Sequence, residues 1–333
     1  MKKIHNNFLK PSEQKLSNLL EHYQAKRYDE AEKLALSITK EFPKNKVAWK
    51  VLAAALNQNK KTNEALIVCQ KSVQLDPQDA EAHKNLGILL QMQGKLKKAE
   101  ESYKKAITLK PDNAEAYNNL GVLLKDLGKL GEACSAFIKA INLNPNFSYT
   151  YVNLAITIEN MRFNSSNVNL YPILIRLLSY GNFVRPVNLA PSILSLLKHD
   201  PILKNLLLEK NFTESFKEAS SVIVSMHKLK LLHLLMRVSP LPNLEFEKFF
   251  VNMRRLLLTN LDKFEANAEI IYFLSTLSIQ CFINEYVYVE KDEETKLIEN
   301  LETEIMQTIE KSQQPEIKKI LCLASYRPLH QYN

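Results

Sequence analysis

Glycine is scarce in this chain, with 6 residues among 333. A nucleotide or methyl-donor cofactor usually needs a glycine-rich turn after a strand, where only glycine lets the backbone approach the ligand closely. Five of the six instead fall between residues 87 and 131, and the sixth, Gly181, follows a predicted helix. We therefore expect the chain to bind no cofactor and to have no catalytic site of its own.

Cysteine and long apolar runs are limited as well. The 4 cysteines have no paired spacing, so they predict neither a zinc site nor disulfides but small buried side chains in a reducing compartment. The uncharged run Ile270–Ile283 is shorter than the ~20 residues of a membrane span, and no apolar stretch follows the N-terminus as in a secretory signal. These absences predict a cytoplasmic protein with no metal site and no membrane segment.

The chain does contain a strong internal period. Four consecutive 34-residue units run from Ser12 to Phe147, and Ala80–Asn113 aligns with Ala114–Phe147 without a gap. Such a period is typical of stacked helical repeats, because one unit cannot bury its own apolar face. It indicates a scaffold rather than an enzyme.

The residues that recur resemble those of the tetratricopeptide repeat. In the third unit they are Leu86, Gly87, Leu90, Ala99, Tyr103, Ala106 and Pro111, and in the fourth Leu120, Gly121, Leu124, Ala133, Phe137, Ala140 and Pro145. The Lys46–Asp79 unit keeps much of this pattern, whereas Ser12–Asn45 keeps mainly Ala31 and Pro43. The resemblance implies paired helices that meet at the small residues, and a concave groove lined by the first helix of each pair.

The repeat offset predicts which side chains line that groove. Asn85, Asn119 and Asn153 share the sixth position, the last of them in a fifth first helix. Amides both donate and accept hydrogen bonds, so this row can hold the backbone of an extended peptide. It resembles the asparagine row that lines the repeats of O-linked N-acetylglucosamine transferases. The fifth and twelfth positions add Lys50, Lys84, Asn118, Gln91 and Lys125.

Two interpretations of these groove residues stay open. The lysines and amides favour an acidic or extended peptide in the groove. Alternatively, they are ordinary solvated side chains on exposed helix faces. A net charge of +8 also permits non-specific attraction to nucleic acid, but no aromatic interleaving or recognised motif accompanies the lysines, so we expect no specific nucleic-acid binding.

The period ends in a polar joint after Asn160. We predict a leader at 1–11, four repeats at 12–147, a fifth repeat helix or cap at 148–162 and an α-helical domain at 163–333. The fold class is therefore all-α, a tetratricopeptide-repeat solenoid followed by a helical domain. Spacing of apolar residues and capping signals predict helices at Pro172–Tyr180, Pro191–His199, Pro201–Glu209, Thr213–Met236, Leu244–Leu261, Ala266–Tyr288, Asp292–Lys311 and Pro315–Tyr326.

Residues 148–333 also resemble a second group of proteins. The segments Leu170–Pro186, Ser192–Leu207, Gln280–Glu294 and Leu321–Asn333 are similar to the helical region of bacterial proteins that join tetratricopeptide repeats to an S-adenosylmethionine-dependent methyltransferase domain. In that family the methyltransferase follows the segment that ends here at Asn333.

Two functions are therefore compatible with the sequence. The first is a scaffold that binds a protein or peptide in the repeat groove and is not catalytic by itself. The second is the substrate-recognition or regulatory half of a methyltransferase, with a methyltransferase domain as a further partner. The sequence does not determine the oligomeric state or the identity of the partner.

Overall fold

The computed structural model describes residues 11–180, 184–208, 216–285 and 290–332. Within these ranges the fold is all-α, without β-strands, as the sequence predicts. The chain divides into two compact units, Met1–Leu154 and Ala155–Asn333, and the division falls within the helix Ser148–Glu159. Residues 1–10 of the predicted leader lie outside the described ranges.

The first unit consists of successive helix pairs. From the second pair onward each first helix begins 34 residues after the previous one, and all second helices do so. The helices are α1 (Glu13–Gln24), α2 (Tyr28–Glu41), α3 (Lys46–Gln58), α4 (Thr62–Leu75), α5 (Ala80–Met92), α6 (Leu96–Leu109), α7 (Ala114–Asp126), α8 (Leu130–Leu143) and α9 (Ser148–Glu159), which begins in this unit.

A polar side chain starts each first helix of the four pairs. Ser12, Asn45, Asp79 and Asn113 each accept a hydrogen bond from the backbone N–H three residues later, at 2.8 to 3.2 Å. The first turn of a helix leaves its N–H groups without helical partners, and such a cap contributes about 1 kcal/mol. The starts of these helices are therefore encoded locally.

The turn inside each pair also recurs every 34 residues. Lys26, Lys60, Gly94 and Gly128 all have positive φ, between 59° and 74°. This conformation suits glycine, whereas a side chain there costs roughly 1–2 kcal/mol. The first two pairs tolerate lysine at a position where the last two use glycine.

The core of each pair depends on a matched couple of side chains, one from each helix and 16 residues apart. A Cβ added to Gly87 would lie 2.6 Å from Cε1 of Tyr103, and Gly121 has the same relation to Phe137. Where the second-helix residue is smaller, the first-helix residue is larger, so the total volume is conserved. The couples are Leu19 with Ala35, Ala53 with Cys69, Gly87 with Tyr103, and Gly121 with Phe137.

The second unit contains nine further helices among the described residues. They are α10 (Tyr171–Tyr180), α11 (Pro186–Leu197), α12 (Pro201–Leu208), α13 (Phe216–His227), α14 (Lys230–Val238), α15 (Leu244–Thr259), α16 (Ala268–Ile283), α17 (Asp292–Glu310) and α18 (Ile317–Ala324). Helix α16 contacts α13, α14 and α18. Its buried residues include Phe273, Leu277 and Cys281, so it forms the centre of this unit.

The predicted single helix Thr213–Met236 is wrong. The chain forms α13 and α14, with Leu229 buried between them. Nε2 of His233 lies 3.2 Å from the carbonyl oxygen of Met226, a group that a continuous helix would have used internally. Apolar spacing continues across the break, so periodicity alone could not find it. Residues 213–215 of this prediction lie outside the described ranges.

Two other predicted helix boundaries also differ from the structure. Pro191 does not start a helix, because α11 begins five residues earlier at Pro186 and contains Pro191 in its second turn. Helix α16 ends at Ile283, and Glu285 has a φ of 54°. Positive φ is incompatible with further α-helix, which explains the stop. Residues 286–288 of the prediction lie outside the described ranges.

The four cysteines are free and buried, which confirms the expected packing role. Burial raises the pKa of each thiol to about 12, so these sulfurs are protonated at neutral pH. No helix in the described part of the chain is long and apolar enough to cross a membrane. Within the same residues, no group of three or more His, Cys, Asp or Glu side chains is arranged to hold a metal ion.

Candidate binding surface on the first helices

The eight predicted groove residues lie on α3, α5, α7 and α9. We call the side of the first unit that these helices form the first-helix surface, defined by Lys50, Lys84, Asn85, Gln91, Asn118, Asn119, Lys125 and Asn153. Hydrogen bonds connect several of these side chains to the neighbouring repeat, as described below. The prediction of which residues bind a partner is untested by the fold itself.

Lys84 is the most enclosed of the predicted groove residues, with 7% of its surface exposed. Its Nζ forms ion pairs with Glu81, at 2.6 Å, and with Glu115 of the next repeat. Burial tends to lower the pKa of Lys84, but the hydrogen bonds to Glu115 and Glu81 outweigh it and the pKa is raised. Lys84 therefore connects α5 to α7 as a charged side chain and is not presented to solvent.

Lys50 is paired as well. Its Nζ lies 3.0 Å from Oδ2 of Asp79, the residue that caps α5. Burial tends to raise the pKa of Asp79, yet the hydrogen bonds from Lys50 and from the backbone N–H groups lower it overall. The first-helix surface is consequently less basic than the lysines in the sequence suggested, because two of its three predicted lysines are neutralised by carboxylates.

The asparagines do not form a simple row of equivalent amides. Asn153 donates to Oδ1 of Asn118 at 3.2 Å, and Asn118 donates to Oδ1 of Asn119 at 3.4 Å. Asn118 is buried, and the three form a chain from α9 to α7. Asn85, Asn119 and Asn153 are half-buried, so their amides retain contact with solvent.

The two remaining predicted residues lie near the ends of their helices. Gln91 accepts a hydrogen bond from the hydroxyl of Tyr103 at 3.0 Å and donates to Asp126 of the next repeat at 3.4 Å. Lys125, beside Asp126, is half-buried. Gln91 thus connects the core of its own repeat to the first-helix surface of the next.

Two tyrosines that sequence reasoning missed also belong to this surface. Burial raises the pKa of Tyr23 on α1, and the charges of Glu81 and Lys84 also act on it. Burial likewise raises the pKa of Tyr149 on α9, with further effects from Glu115 and Lys84. Tyr149 aligns with Glu115 and Glu81 at 34-residue spacing, which is the signal that could have found it.

These interactions indicate that the first-helix surface is concave. Tyr23 and Tyr149 lie on first helices two repeats before and two repeats after α5, yet both are within electrostatic reach of Lys84. Side chains that project from a convex surface diverge with distance along the array, whereas those on a concave surface converge. The centre of the surface is therefore the set Glu81, Lys84 and Glu115.

Comparison with known proteins agrees with the period and the helix pairs. Four family models match the first unit: one described as TPR repeat at residues 92–128, and three described as tetratricopeptide repeat at 18–80, 68–101 and 114–147. Residues 18–147 contain tetratricopeptide repeats. This confirms the first resemblance, including the weak first unit, while no match supports the methyltransferase-associated resemblance of residues 148–333.

Solved structures with tetratricopeptide repeats are similar to this chain at low identity. A crystal structure of MamA has 21% identity and a TM-score of 0.41, covering 54% of this chain and 94% of that one. MamA from Desulfovibrio magneticus RS-1 has 19% identity and a TM-score of 0.40, covering 43% and 81%. TTC0263, a thermophilic TPR protein of Thermus thermophilus, has 21% identity and a TM-score of 0.38, covering 43% and 79%. No curated protein matches the chain in sequence.

The second unit holds a separate cluster of buried charges. The hydroxyl of Tyr326 donates to Glu294 at 2.9 Å, and Nε of Arg255 lies 3.2 Å from the same carboxylate, which is 1% exposed. Arg327 makes two hydrogen bonds to Glu290. The guanidinium of Arg254 stacks 4.0 Å from the centre of the Tyr326 ring.

This cluster joins two segments that the sequence singled out, Gln280–Glu294 and Leu321–Asn333. Glu290 and Glu294 were interpreted as solvated carboxylates at a helix start. The structure shows that Glu294 is buried and also accepts from the backbone N–H of Lys291 at 3.0 Å, while Glu290 is half-buried. A carboxylate that is paired on every side has a structural role in holding α15, α17 and the chain after α18 together.

Proposed function

We propose that the first unit is a protein-interaction scaffold that binds an extended segment of a partner on its first-helix surface. The observation that carries this proposal is the convergence of Tyr23 and Tyr149 on the Glu81, Lys84 and Glu115 cluster, which indicates a concave surface. Half-buried amides at Asn85, Asn119 and Asn153 lie on the same helices. Tetratricopeptide repeats generally mediate protein–protein interactions, which agrees with this function. In this proposal the chain is not catalytic by itself.

The amides would hold the partner by its backbone. Each offers a donor and an acceptor, and a hydrogen bond of this kind contributes about 0.5–1.5 kcal/mol net. Three such contacts amount to about 3 kcal/mol, which corresponds to roughly a 100-fold change in affinity. A partner bound in this way needs an extended backbone more than a particular side-chain sequence.

The test compares Asn85→Ala/Asn119→Ala/Asn153→Ala with the wild-type chain in a peptide-display selection, followed by affinity measurements on the enriched peptides. The matched control is Gln70→Ala/Gln74→Ala/Asn142→Ala, which removes three amides from second helices. We expect roughly 100-fold weaker binding by the groove variant and unchanged binding by the control. Equal affinities for all three proteins would contradict the proposal.

A second candidate function is the recognition or regulatory half of an S-adenosylmethionine-dependent methyltransferase. Its support is the resemblance of residues 148–333, together with the side-chain cluster that joins two of the four similar segments through Tyr326 and Glu294. In this proposal a methyltransferase domain is the partner, and the repeats select its substrate.

Calorimetric titration with S-adenosylmethionine tests this candidate. It requires the present chain and a longer one that continues through the sequence encoded after Asn333. We expect heat of binding from the longer chain only. No binding by either chain would reject the methyltransferase function, and binding by the present chain would show that the argument from scarce glycine is wrong.

A further inference from the structure

The charges that the first-helix surface presents to solvent are not those that the sequence suggested. Lys84 has 8% of its side chain exposed, whereas its two carboxylate partners, Glu81 and Glu115, have 41% and 53% exposed. A ligand that approaches the centre of the surface therefore meets oxygen atoms with negative charge, while the lysine lies beneath them. One buried cation faces two carboxylates, so the cluster has a net charge of −1.

Aromatic side chains lie close to these carboxylates. Tyr149 is 47% exposed and packs against Phe147, with ring centroids 5.0 Å apart. The negative charge of Glu115 helps to raise the pKa of Tyr149, after the larger effect of burial, so the two side chains are near each other. A carboxylate beside an aromatic face is suited to an ammonium or guanidinium group, which gains both an ion pair and a cation–π contact.

The rest of the surface does not reverse this charge. Lys50 is neutralised by Asp79, and Asp126 stands next to Lys125. A partner with a negative side chain at the centre would face Glu81 and Glu115 at short range, and like charges in contact are unfavourable. Charge complementarity therefore selects a positively charged group.

We propose that the first-helix surface binds an extended segment with a basic residue, lysine or arginine, whose cationic group lies between Glu81 and Glu115 and against the ring of Tyr149. This inference rests on the proposed function, since it names the chemistry of the partner that the amides hold. It opposes the acidic partner that the lysines of the sequence favour.

The experiment is a phage-displayed selection of random peptides on the wild-type chain, with fluorescence anisotropy on the enriched peptides. We expect lysine or arginine at one shared position. Replacing that arginine by citrulline, which is neutral and of similar shape, should weaken binding about 10-fold or more, since hydrogen bonds to charged groups contribute about 1.5–3 kcal/mol. Enriched peptides with acidic residues or with no basic preference would overturn the inference.

Variants assign the effect to this cluster. Glu115→Gln keeps Glu81 as the partner of Lys84, and Tyr149→Ala removes the ring. Each should reduce the discrimination between arginine and citrulline several-fold, whereas Glu101→Gln, an exposed carboxylate on α6, should not. Unchanged discrimination in both groove variants would overturn the inference.

The comparison of arginine with citrulline uses the wild-type chain, so it remains decisive if a variant folds poorly. The outcomes also separate this inference from the function beneath it. Peptides that bind through the asparagines but ignore charge would leave the scaffold proposal intact and reject the basic partner. Failure to enrich any peptide on the wild-type chain over the triple asparagine variant would reject both.

Discussion

Gly87 lies directly against the ring of Tyr103, so that a Cβ on the glycine would come within 2.6 Å of Cε1. The ring cannot easily withdraw, because Tyr103 is buried and its hydroxyl is bonded to Gln91 at 3.0 Å. Two opposing effects thus meet at this position. Alanine is better than glycine in a helix by about 1 kcal/mol, but overpacking a core costs about 1–3 kcal/mol.

We expect the overpacking to dominate, so Gly87→Ala should lower the free energy of unfolding by about 1–2 kcal/mol. Urea denaturation measures it. Gly131→Ala is the matched control, since Gly131 also lies in a helix but has nothing within 4 Å of its added Cβ. The control should be neutral or slightly stabilising. Equal effects of the two substitutions would show that the helix interface can adjust.

The left-handed turns allow a test of backbone strain without any packing change. Gly94 has a φ of 69° and open space around its Cβ position. Gly94→Ala should therefore destabilise the first unit by about 1 kcal/mol through φ alone. The reverse change, Lys60→Gly at a φ of 60°, should be neutral or stabilising by up to about 1 kcal/mol. Thermal unfolding of both variants checks the two signs, and a loss of stability in Lys60→Gly would contradict this account.

His233 predicts a loss of stability in acid. Burial lowers its pKa to about 4, against an ordinary value of 6.5, although its bond to the Met226 carbonyl acts in the opposite direction. The unfolded chain therefore binds a proton more readily than the folded chain between these values. Stability is complete above pH 6.5 and decreases as the pH falls towards 4, by about 3 kcal/mol in total.

Unfolding measured between pH 4 and 7 should show a weaker pH dependence in His233→Gln than in the wild type. His227→Gln is the control, because that histidine is exposed on the neighbouring helix α13. His227 and Arg237 are the charged groups that act on His233, and both disfavour its protonation. The same pH dependence in His233→Gln and the wild type would exclude this histidine as the cause.

The buried carboxylate of Glu294 should be far more important for stability than exposed ones. Glu294→Gln leaves the positive charge of Arg255 without its partner, at a cost of about 3–5 kcal/mol. Tyr326→Phe removes one hydrogen bond to the carboxylate and should cost about 1–3 kcal/mol. The control is Glu304→Gln, whose half-exposed carboxylate pairs with Lys319, and its expected cost is below about 1 kcal/mol. Similar unfolding free energies for Glu294→Gln and Glu304→Gln would contradict the structural role of the cluster.

The repeats were predictable because their signals are local. Helix starts at Asn45 and Asp79 depend on a side chain that bonds three residues ahead, and the period follows from the sequence directly. The weak first unit is explained only by the structure. Leu19 and Ala35 fill the same space as Gly87 and Tyr103 elsewhere, with the large and small residues exchanged between the helices. A pattern that expects a small residue at one fixed position does not recognise this exchange.

The sequence by itself determined the all-α class, the 34-residue period and the positions of the first helices, because caps, turns and apolar spacing act over a few residues. The tertiary structure alone decided the charge of the first-helix surface and the break between α13 and α14. Lys84 meets Glu115 across 31 residues, and Glu294 meets Tyr326 across 32. Such contacts depend on how helices pack, so a lysine that the sequence suggests to be a solvated cation becomes a buried support beneath two carboxylates in the fold.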